Sequence, residues 1–486
     1  MRIAAHSYYI ICIVLLLPTI ANAATIDVNS NLQAAINAAS SGDTIKVAPG
    51  VYDRIEIAKK LTLIGDGAVI KGNERDACVR ILADGVSFSG FVVRNGFYGI
   101  SLDTVKGCRI YKNTVVYCAQ PGIMLKFSNN NIVQGNNASF NGLGGEGWYG
   151  IYLTNSNENQ VIGNVAYGNG AYGINLFPSC NNNTIRGNVL QGNMYGLYMF
   201  TDCSNNLIES NTMSKNTNSG MDIRFNCHDN LILNNTIENN VVAGITLMEK
   251  SGSNTIKGNE ISGNQRYGIQ IQSDSNGNTI NNNTISQSQT GIFLDADGNR
   301  IYGNNIIENI VQAEDRGTNT WNAAYPVGGN LWSDYIGEDK MGGPGQDKPG
   351  SDRFGDTPYK INERSVDKYP IMGKQTRQVT IVEKSISPTS ARIGDNIDIK
   401  ARIAAKYGLA QITVRAFDLK GVEAKAYCRM VQSGDYYRGS LSTALLDPGS
   451  YEVVLSARDM RGYELKETLG EIKVVSRDRF ESSTSS

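Results

Sequence analysis

A glycine returns along the middle of the chain at Gly99, Gly122, Gly150, Gly173, Gly196, Gly220, Gly244, Gly268 and Gly291, at intervals of 23, 28, 23, 23, 24, 24, 24 and 23 residues. Apolar residues follow it at the first and third positions, as with Ile151 and Leu153, Ile174 and Leu176, or Ile245 and Leu247. Strict alternation puts one face of a short strand into a core and leaves the other outside. A second recurring block, seen as NNTIRGN, NNLIESN and SNTIKGN, closes each unit with asparagine and glycine. Units this short cannot bury their apolar face alone, so each must stack on the one before and pair with it in parallel. Asparagine suits the corners because it tolerates left-handed backbone and its amide bonds to backbone or to the residue stacked above. The dense Asn/Gly and the missing Leu framework exclude a leucine-rich repeat. The predicted fold is all-β: a right-handed parallel β-helix.

The segment NLQAAINAASSGDTIKV supplies a cap, with Leu32, Ala35, Ile36 and Ala39 on one face of a short helix that covers the first rung. Before it, MRIAAHSYYIICIVLLLPTIANA joins a basic start, an apolar run and an Ala-x-Ala site, the pattern of a secretory signal peptide over residues 1–23. No second run of about twenty apolar residues follows, so no transmembrane span is expected after its removal. The reading is therefore a protein secreted, displayed on the cell surface or held in a periplasm-like space. The β-helix is expected over residues 26–310, a Gly/Asp-rich closing segment over 311–372, and a disordered tail over 476–486. Between 379 and 475 the Asn/Gly repeat gives way to alternating stretches such as NIDIKARI, QITVRAF and YEVVLSARD, which predict an immunoglobulin-like β-sandwich.

With 45 basic and 46 acidic residues the net charge is -1. That balance argues against nucleic acid and against a polybasic membrane contact.

The closing segment carries a WSDY element at Trp332–Tyr335, a GDTPY element at Gly355–Tyr359, and a D-x-Y-P element at Asp367, Tyr369 and Pro370. With the preceding rungs, these resemble the NosD-like β-helix family. That family includes many archaeal surface proteins and a periplasmic accessory protein for copper-enzyme maturation. The resemblance covers residues 26–372 and implies a β-helix closed by these elements. It says little about chemistry, because the same repeat serves polysaccharide lyases, epimerases, binding proteins and adhesins.

Four groups of residues are candidates for function. Positions two and four after each glycine line one long face, whose centre holds Tyr152, Phe177, Tyr198 and Phe200, with Lys126 and Trp148 beside them. Sugar rings stack on Tyr and Phe, and flanking polar groups bind hydroxyls, so this face is a candidate for extracellular polysaccharide or envelope components. The 28-residue interval adds a loop with Glu146, Trp148 and Tyr149 that walls it. An alternative is that the terminal segment or a partner protein covers these rings. For catalysis, the best cluster is Asp222, Arg224, His228 and Glu249. A glycosidase needs two carboxylates about 5 to 9.5 Å apart, and a lyase or epimerase needs a base beside a cation. Asp222 and Arg224, two apart on one strand face, are equally explained as a surface ion pair.

For metals, Cys180, Cys203 and Cys227 occupy one position in three consecutive rungs and form a sulfur ladder able to hold copper(I) or one strained disulfide. The alternative is that cysteine simply fills an inward turn position. Copper(II) would want imidazole, and the chain has two histidines, His6 and His228. Cys78, Cys108 and Cys118 include a further possible pair, while Cys428 stands in the C-terminal part. The acidic loop with Asp339, Asp347, Asp352 and Asp356 is a candidate for calcium, and its spacing matches no EF-hand. No cofactor is required by the sequence, and calcium is weighed ahead of copper. Three functions follow in order: non-catalytic carbohydrate binding or an adhesive envelope role, an enzyme acting on acidic polysaccharide, and a copper-maturation accessory factor.

Overall fold

The computed structural model describes residues 23–142, 148–373, 379–405, 408–419, 421–459 and 464–476. Residues 1–22 of the expected signal peptide, Glu146 and the tail beyond residue 476 lie outside them. The repeat builds a parallel β-solenoid. Thirteen strands, from Thr25–Val28 to Arg300–Tyr302, form one sheet; twelve, from Ile55–Ile57 to Val311–Asp315, a second; and thirteen, from Val51–Tyr52 to Leu331–Trp332, a third. The rungs thus continue past residue 310. Like stacks on like: Ile100, Ile123, Ile151, Ile174 and Leu197 are register partners in turn, and all are fully buried. Each such side chain contributes about 1.5–3 kcal/mol by leaving water, so the core is a stack of aliphatic columns.

The recurring glycine is needed for close approach. A Cβ on Gly173 would stand 2.6 Å from the Gly196 carbonyl oxygen, and one on Gly196 would stand 2.5 Å from that of Gly220. Any side chain there would push successive rungs apart.

The asparagines form ladders along the axis. Asn211 accepts the Asn188 backbone N–H and its side-chain amide at Oδ1, both at 2.9 Å, and donates from Nδ2 to the Ile185 carbonyl at 2.8 Å. Asn211 in turn donates its own N–H to Asn235 Oδ1. Because each buried turn amide is answered by the next rung's asparagine, the corners remain satisfied without water.

The helix Leu32–Ala38 covers the first rung, burying Leu32 and Ile36, and Asn31 caps it by accepting the Ala34 N–H at 3.1 Å. Among the described residues no helix is long and apolar enough to cross a membrane. The other end is closed by the elements that carry the family resemblance. Trp332 stacks on Tyr359 with ring centroids 4.1 Å apart, and Tyr335 donates its hydroxyl to the Thr357 carbonyl at 2.6 Å. Asp315 accepts Trp321 Nε1 and Ser365 Oγ, each at 2.7 Å.

After residue 379 the sheets are antiparallel. Val379–Ser387, Asn396–Ala405, Tyr436–Ser442 and Val431–Ser433 make one sheet in that order. Ser390–Arg392, Glu464–Val475, Gly449–Asp459, Leu409–Asp418 and Glu423–Arg429 make the other, in which Ser390–Arg392 alone pairs in parallel. Ile397 and Ile399 of the first sheet and Val414, Val453 and Leu455 of the second share one buried core.

Candidate functional site

Four consecutive rungs of the second sheet, Tyr149–Thr154, Tyr172–Leu176, Tyr195–Phe200 and Met221–Arg224, bring nine aromatic rings into one unbroken network. Trp148 meets Tyr149 with centroids 5.6 Å apart, Tyr149 stacks on Tyr172 at 5.2 Å, and Tyr172 stacks on Tyr198 at 4.6 Å. Tyr152 lies against Tyr149, and Tyr195 against Tyr198. Phe200 continues the network from Tyr198 at 5.7 Å and gathers Phe177 and Phe225 around it. Lys126 sits one rung below Tyr152's rung, exposed, in register with Thr154 and with its ammonium 5.9 Å from the Phe127 ring centre.

The two-residue periodicity that selected Tyr152, Tyr198 and Phe200 passed over Tyr172 and Tyr195, which stand before their glycines. The signal was present in the recurring Tyr-Gly pair at 149, 172, 195 and 267. Sequence reasoning also missed a second column on the neighbouring corner, where Tyr117, Phe140 and Tyr167 are 56%, 36% and 43% exposed. Tyr117 and Phe140 stack at 5.9 Å. Both adopt positive φ near 56°, at turn positions where an unbranched small residue would be less strained.

The expected surface ion pair is not on the surface. Arg224 grips Asp222 bidentately, Nε to Oδ1 at 2.7 Å and Nη2 to Oδ2 at 2.9 Å, and the Asp222 side chain is 1% exposed. Outward strand positions were expected to face solvent, but Tyr198 lies directly beside Asp222 in register, and the large rings of this region shield what lies between them. Burial raises the Asp222 carboxyl against the downward pull of the Arg224 hydrogen bonds, and Glu249 adds a smaller upward push. The same contact raises Arg224, so the guanidinium keeps its charge. Burial likewise raises Tyr149, Tyr152, Tyr195 and Tyr198, and pushes Tyr172 up to about 12; these phenols are hydrogen-bond donors at neutral pH.

Two acceptors at this site lack donors: Asn175 Oδ1 and Glu249 Oε2 are buried with no hydrogen-bond partner. Asn175 is the register partner of both Tyr152 and Tyr198. His228 is turned to Asp229, Nδ1 to Oδ2 at 2.7 Å, on an exposed corner. One guanidinium bonds both Asp222 oxygens through its Nε and Nη2, and the Arg224 side chain stays 28% exposed with its Nη1 end outside that pair.

The sulfur ladder belongs to a longer column. Ser128, Ser156, Cys180, Cys203, Cys227, Ser251 and Ser275 occupy one turn position in successive rungs, each fully buried. Cys180 N donates to Cys203 Sγ at 3.4 Å and Cys203 N to Cys227 Sγ at 3.3 Å, just as Ser251 N donates to Ser275 Oγ at 3.1 Å. These sulfurs do the work of serine oxygens.

In the acidic loop, Asp339 accepts Ser351 Oγ and the Asp352 and Arg353 N–H groups. Asp356 accepts the N–H of Lys340 and Met341, and Asp352 accepts Gly343 N and Gln346 Nε2. The carboxylates thus staple the loop, and Asp347 stands exposed beside them. Among the described residues no group of three or more His, Cys, Asp or Glu is arranged to hold a metal ion.

The sequence pattern of the family described as periplasmic copper-binding protein (NosD) matches residues 36–224 and 177–337, more than half of the chain. The chain belongs to the NosD family. Its family description agrees with an extracytoplasmic location. The residues present do not fit copper, however. The candidate thiols are sealed in the core, the Cys203 and Cys227 sulfurs accepting backbone N–H groups and the Cys180 thiol donating to the Pro178 carbonyl, and the one histidine in the described rungs pairs with an aspartate.

No curated protein matches this NosD-family chain. Among solved structures, it is similar to the catalytic domain of a GH87 α-1,3-glucanase in complex with nigerose, at 15% identity and a TM-score of 0.53, covering 63% of this chain and 68% of that one. It is also similar to the A-module of a mannuronan C-5 epimerase from Azotobacter vinelandii, at 22% identity and a TM-score of 0.47, covering 60% of this chain and 94% of that one. At these identities the likeness concerns the fold alone.

Proposed function

We propose that this NosD-family solenoid is a non-catalytic binder of extracellular polysaccharide, acting outside the cytoplasm through the aromatic face between Tyr149 and Phe225. The observation that carries this reading is the unbroken network of nine rings along four stacked strands, seven of them half-buried, with Tyr195 buried and Phe225 exposed. Soluble proteins have no structural need to lay such a stripe across an outer face, whereas pyranose rings stack on aromatic faces.

The charge pattern favours neutral sugars. Arg224 is committed to Asp222, and Glu249 adds negative charge to the same neighbourhood. With Asp222 and Glu249 offsetting Arg224, the centre of the face offers a uronate polymer no net positive charge, which weighs against the acidic-polysaccharide enzyme. Beyond residue 379, the strand order and the Tyr451 hydroxyl bonded to the Asp447 carbonyl at 3.0 Å support an immunoglobulin-like sandwich, a common partner of binding and adhesive domains.

Affinity electrophoresis of the secreted protein through gels containing neutral or acidic polysaccharides tests the reading. Retardation by a neutral polymer that keeps its length supports it. Shortened or unsaturated polymer overturns it in favour of catalysis.

A further inference from the structure

Two of the buried cysteines meet across a gap left by glycines. Cys118 stacks one rung above Gly96: Thr114–Val116 pairs in parallel with Val92–Arg94, and the Ala119 N–H donates to the Gly96 carbonyl at 2.9 Å. The place of the missing Gly96 side chain is filled by a sulfur from the neighbouring sheet. A Cβ on Gly96 would stand 2.5 Å from Cys78 Sγ, and one on Gly72 would stand 2.8 Å from it. On the other side, a Cβ on Gly99 would stand 3.2 Å from Cys118 Sγ.

Stacked positions are about 4.8 Å apart, so Cys118 is the next side chain above the Gly96 gap that Cys78 Sγ fills. Both sulfurs also neighbour the carbonyls of one pair of register partners, Cys78 Sγ with Arg94 O at 3.3 Å and Cys118 Sγ with Val116 O at 3.7 Å. The contact is felt electrostatically: Cys118 pushes the Cys78 thiol up, and Cys78 holds the Cys118 thiol down.

We propose that Cys78 and Cys118 are joined by a disulfide in the mature extracytoplasmic protein. The other cysteines have different surroundings. Cys180, Cys203 and Cys227 also touch one another, but there the Cys203 and Cys227 sulfurs accept backbone N–H groups as the serine oxygens of their column do, and Cys428 packs against the C-terminal core.

The oxidant is a disulfide-carrying thiol oxidoreductase or an oxidised small thiol. The thiolate of one cysteine attacks the oxidant's disulfide, forming a mixed disulfide and releasing one oxidant thiolate. The second cysteine's thiolate then attacks the protein sulfur of that mixed disulfide, forming the Cys78–Cys118 bond and releasing the second oxidant thiol. Two protons and two electrons pass to the oxidant. Both sulfurs are sealed from solvent in the finished coil, so exchange precedes closure of these rungs. The bond ties two adjacent rungs near the capped end across 40 residues of chain, where it shortens the unfolded chain's reach.

The full chain, exported and purified without reductant, is denatured, alkylated and digested with trypsin. The expected product joins fragments 76–80 and 113–126, about 2 Da lighter than their sum for one S–S bond, and separates on reduction. In Cys78→Ala, fragment 113–126 becomes fully alkylated, and in Cys118→Ala, fragment 76–80 does. Alkylation of both fragments in the native protein, or linkage of either to Cys108 or to the Cys180–Cys227 column, overturns the proposal. The readout is made on denatured protein, so a variant that folds poorly still reports.

Discussion

Asp367 stands where the next rung's asparagine would be and accepts the Asn330 backbone N–H at 2.6 Å. Its Oδ2 also takes Trp332 Nε1 at 2.9 Å and its Oδ1 the Tyr369 N–H at 3.0 Å. A carboxylate thus terminates a ladder of amides and anchors the closing segment to it. Despite these donors, burial raises Asp367 from 3.8 to about 6; burial also raises the Tyr359 phenol, with Asp334 and then Asp367 adding to it. A folded pKa above the unfolded value means that the group's stabilisation is complete below about pH 4 and is lost as pH rises through 6. The loss amounts to roughly 3 kcal/mol. Denaturant titrations between pH 4 and 7 should show this component in the native protein and lack it in Asp367→Asn. Parallel pH profiles for the two would contradict it.

The ladder itself predicts a sharp contrast between buried and exposed asparagines. Asn211→Ala strands the Asn188 N–H and the Ile185 carbonyl in the core, at a cost of about 2–5 kcal/mol for two or more unmet buried groups. Asn305→Ala, on an exposed strand position, should stay within about 0.5 kcal/mol. Comparing their denaturation midpoints checks this directly.

The coil was legible because its cause is local and repeats: Gly173 and Gly196 are glycine for want of room, and the Asn corners carry ladder bonds that recur with each turn. The parallel solenoid could therefore be read from period and alternation alone. The site was less legible because its decisive relations run between rungs. Nothing in the linear pattern around Asp222 says that the rings of earlier turns remove it from water. Nothing around Cys203 says that Ser156 and Ser251 continue its column. Tyr172 and Tyr195 were passed over because strand alternation was counted forward from the glycine and not back from it. Asp367 was visible as part of a motif, but its place at the end of an amide ladder depends on a segment that returns from 37 residues away.

The serine-like role of the cysteine column makes Cys203→Ser a mild change. The hydroxyl can accept the same N–H, so stability should fall by less than about 1.5 kcal/mol, as for other near-isosteric core changes. Copper(I) titration against a competing chelator should give the same weak, sub-stoichiometric uptake for native and Cys203→Ser protein. One tightly bound copper per chain that disappears in the variant would restore the metal reading.

Arg224→Ala removes the guanidinium that grips both oxygens of a carboxylate whose side chain is 1% exposed, and should cost about 3–5 kcal/mol. Changing both members, Asp222→Leu with Arg224→Met, should recover most of that loss, because the uncompensated buried charge is gone. Thermal unfolding of the two variants separates this account from one in which the pair is a weak surface contact, for which both would lie within about 1 kcal/mol of native.

The most direct test of carbohydrate binding is retention of the native protein, Phe200→Ala and Lys126→Ala on a neutral polysaccharide that retards the native chain, with folding checked by circular dichroism. Losing one stacking ring should weaken retention about tenfold, the equivalent of about 1.4 kcal/mol, while Lys126→Ala, outside the ring network, leaves it nearly unchanged. Equal retention of Phe200→Ala and the native protein, or retention that follows Lys126 and acidic polymer instead, would contradict the assignment of binding to the aromatic face.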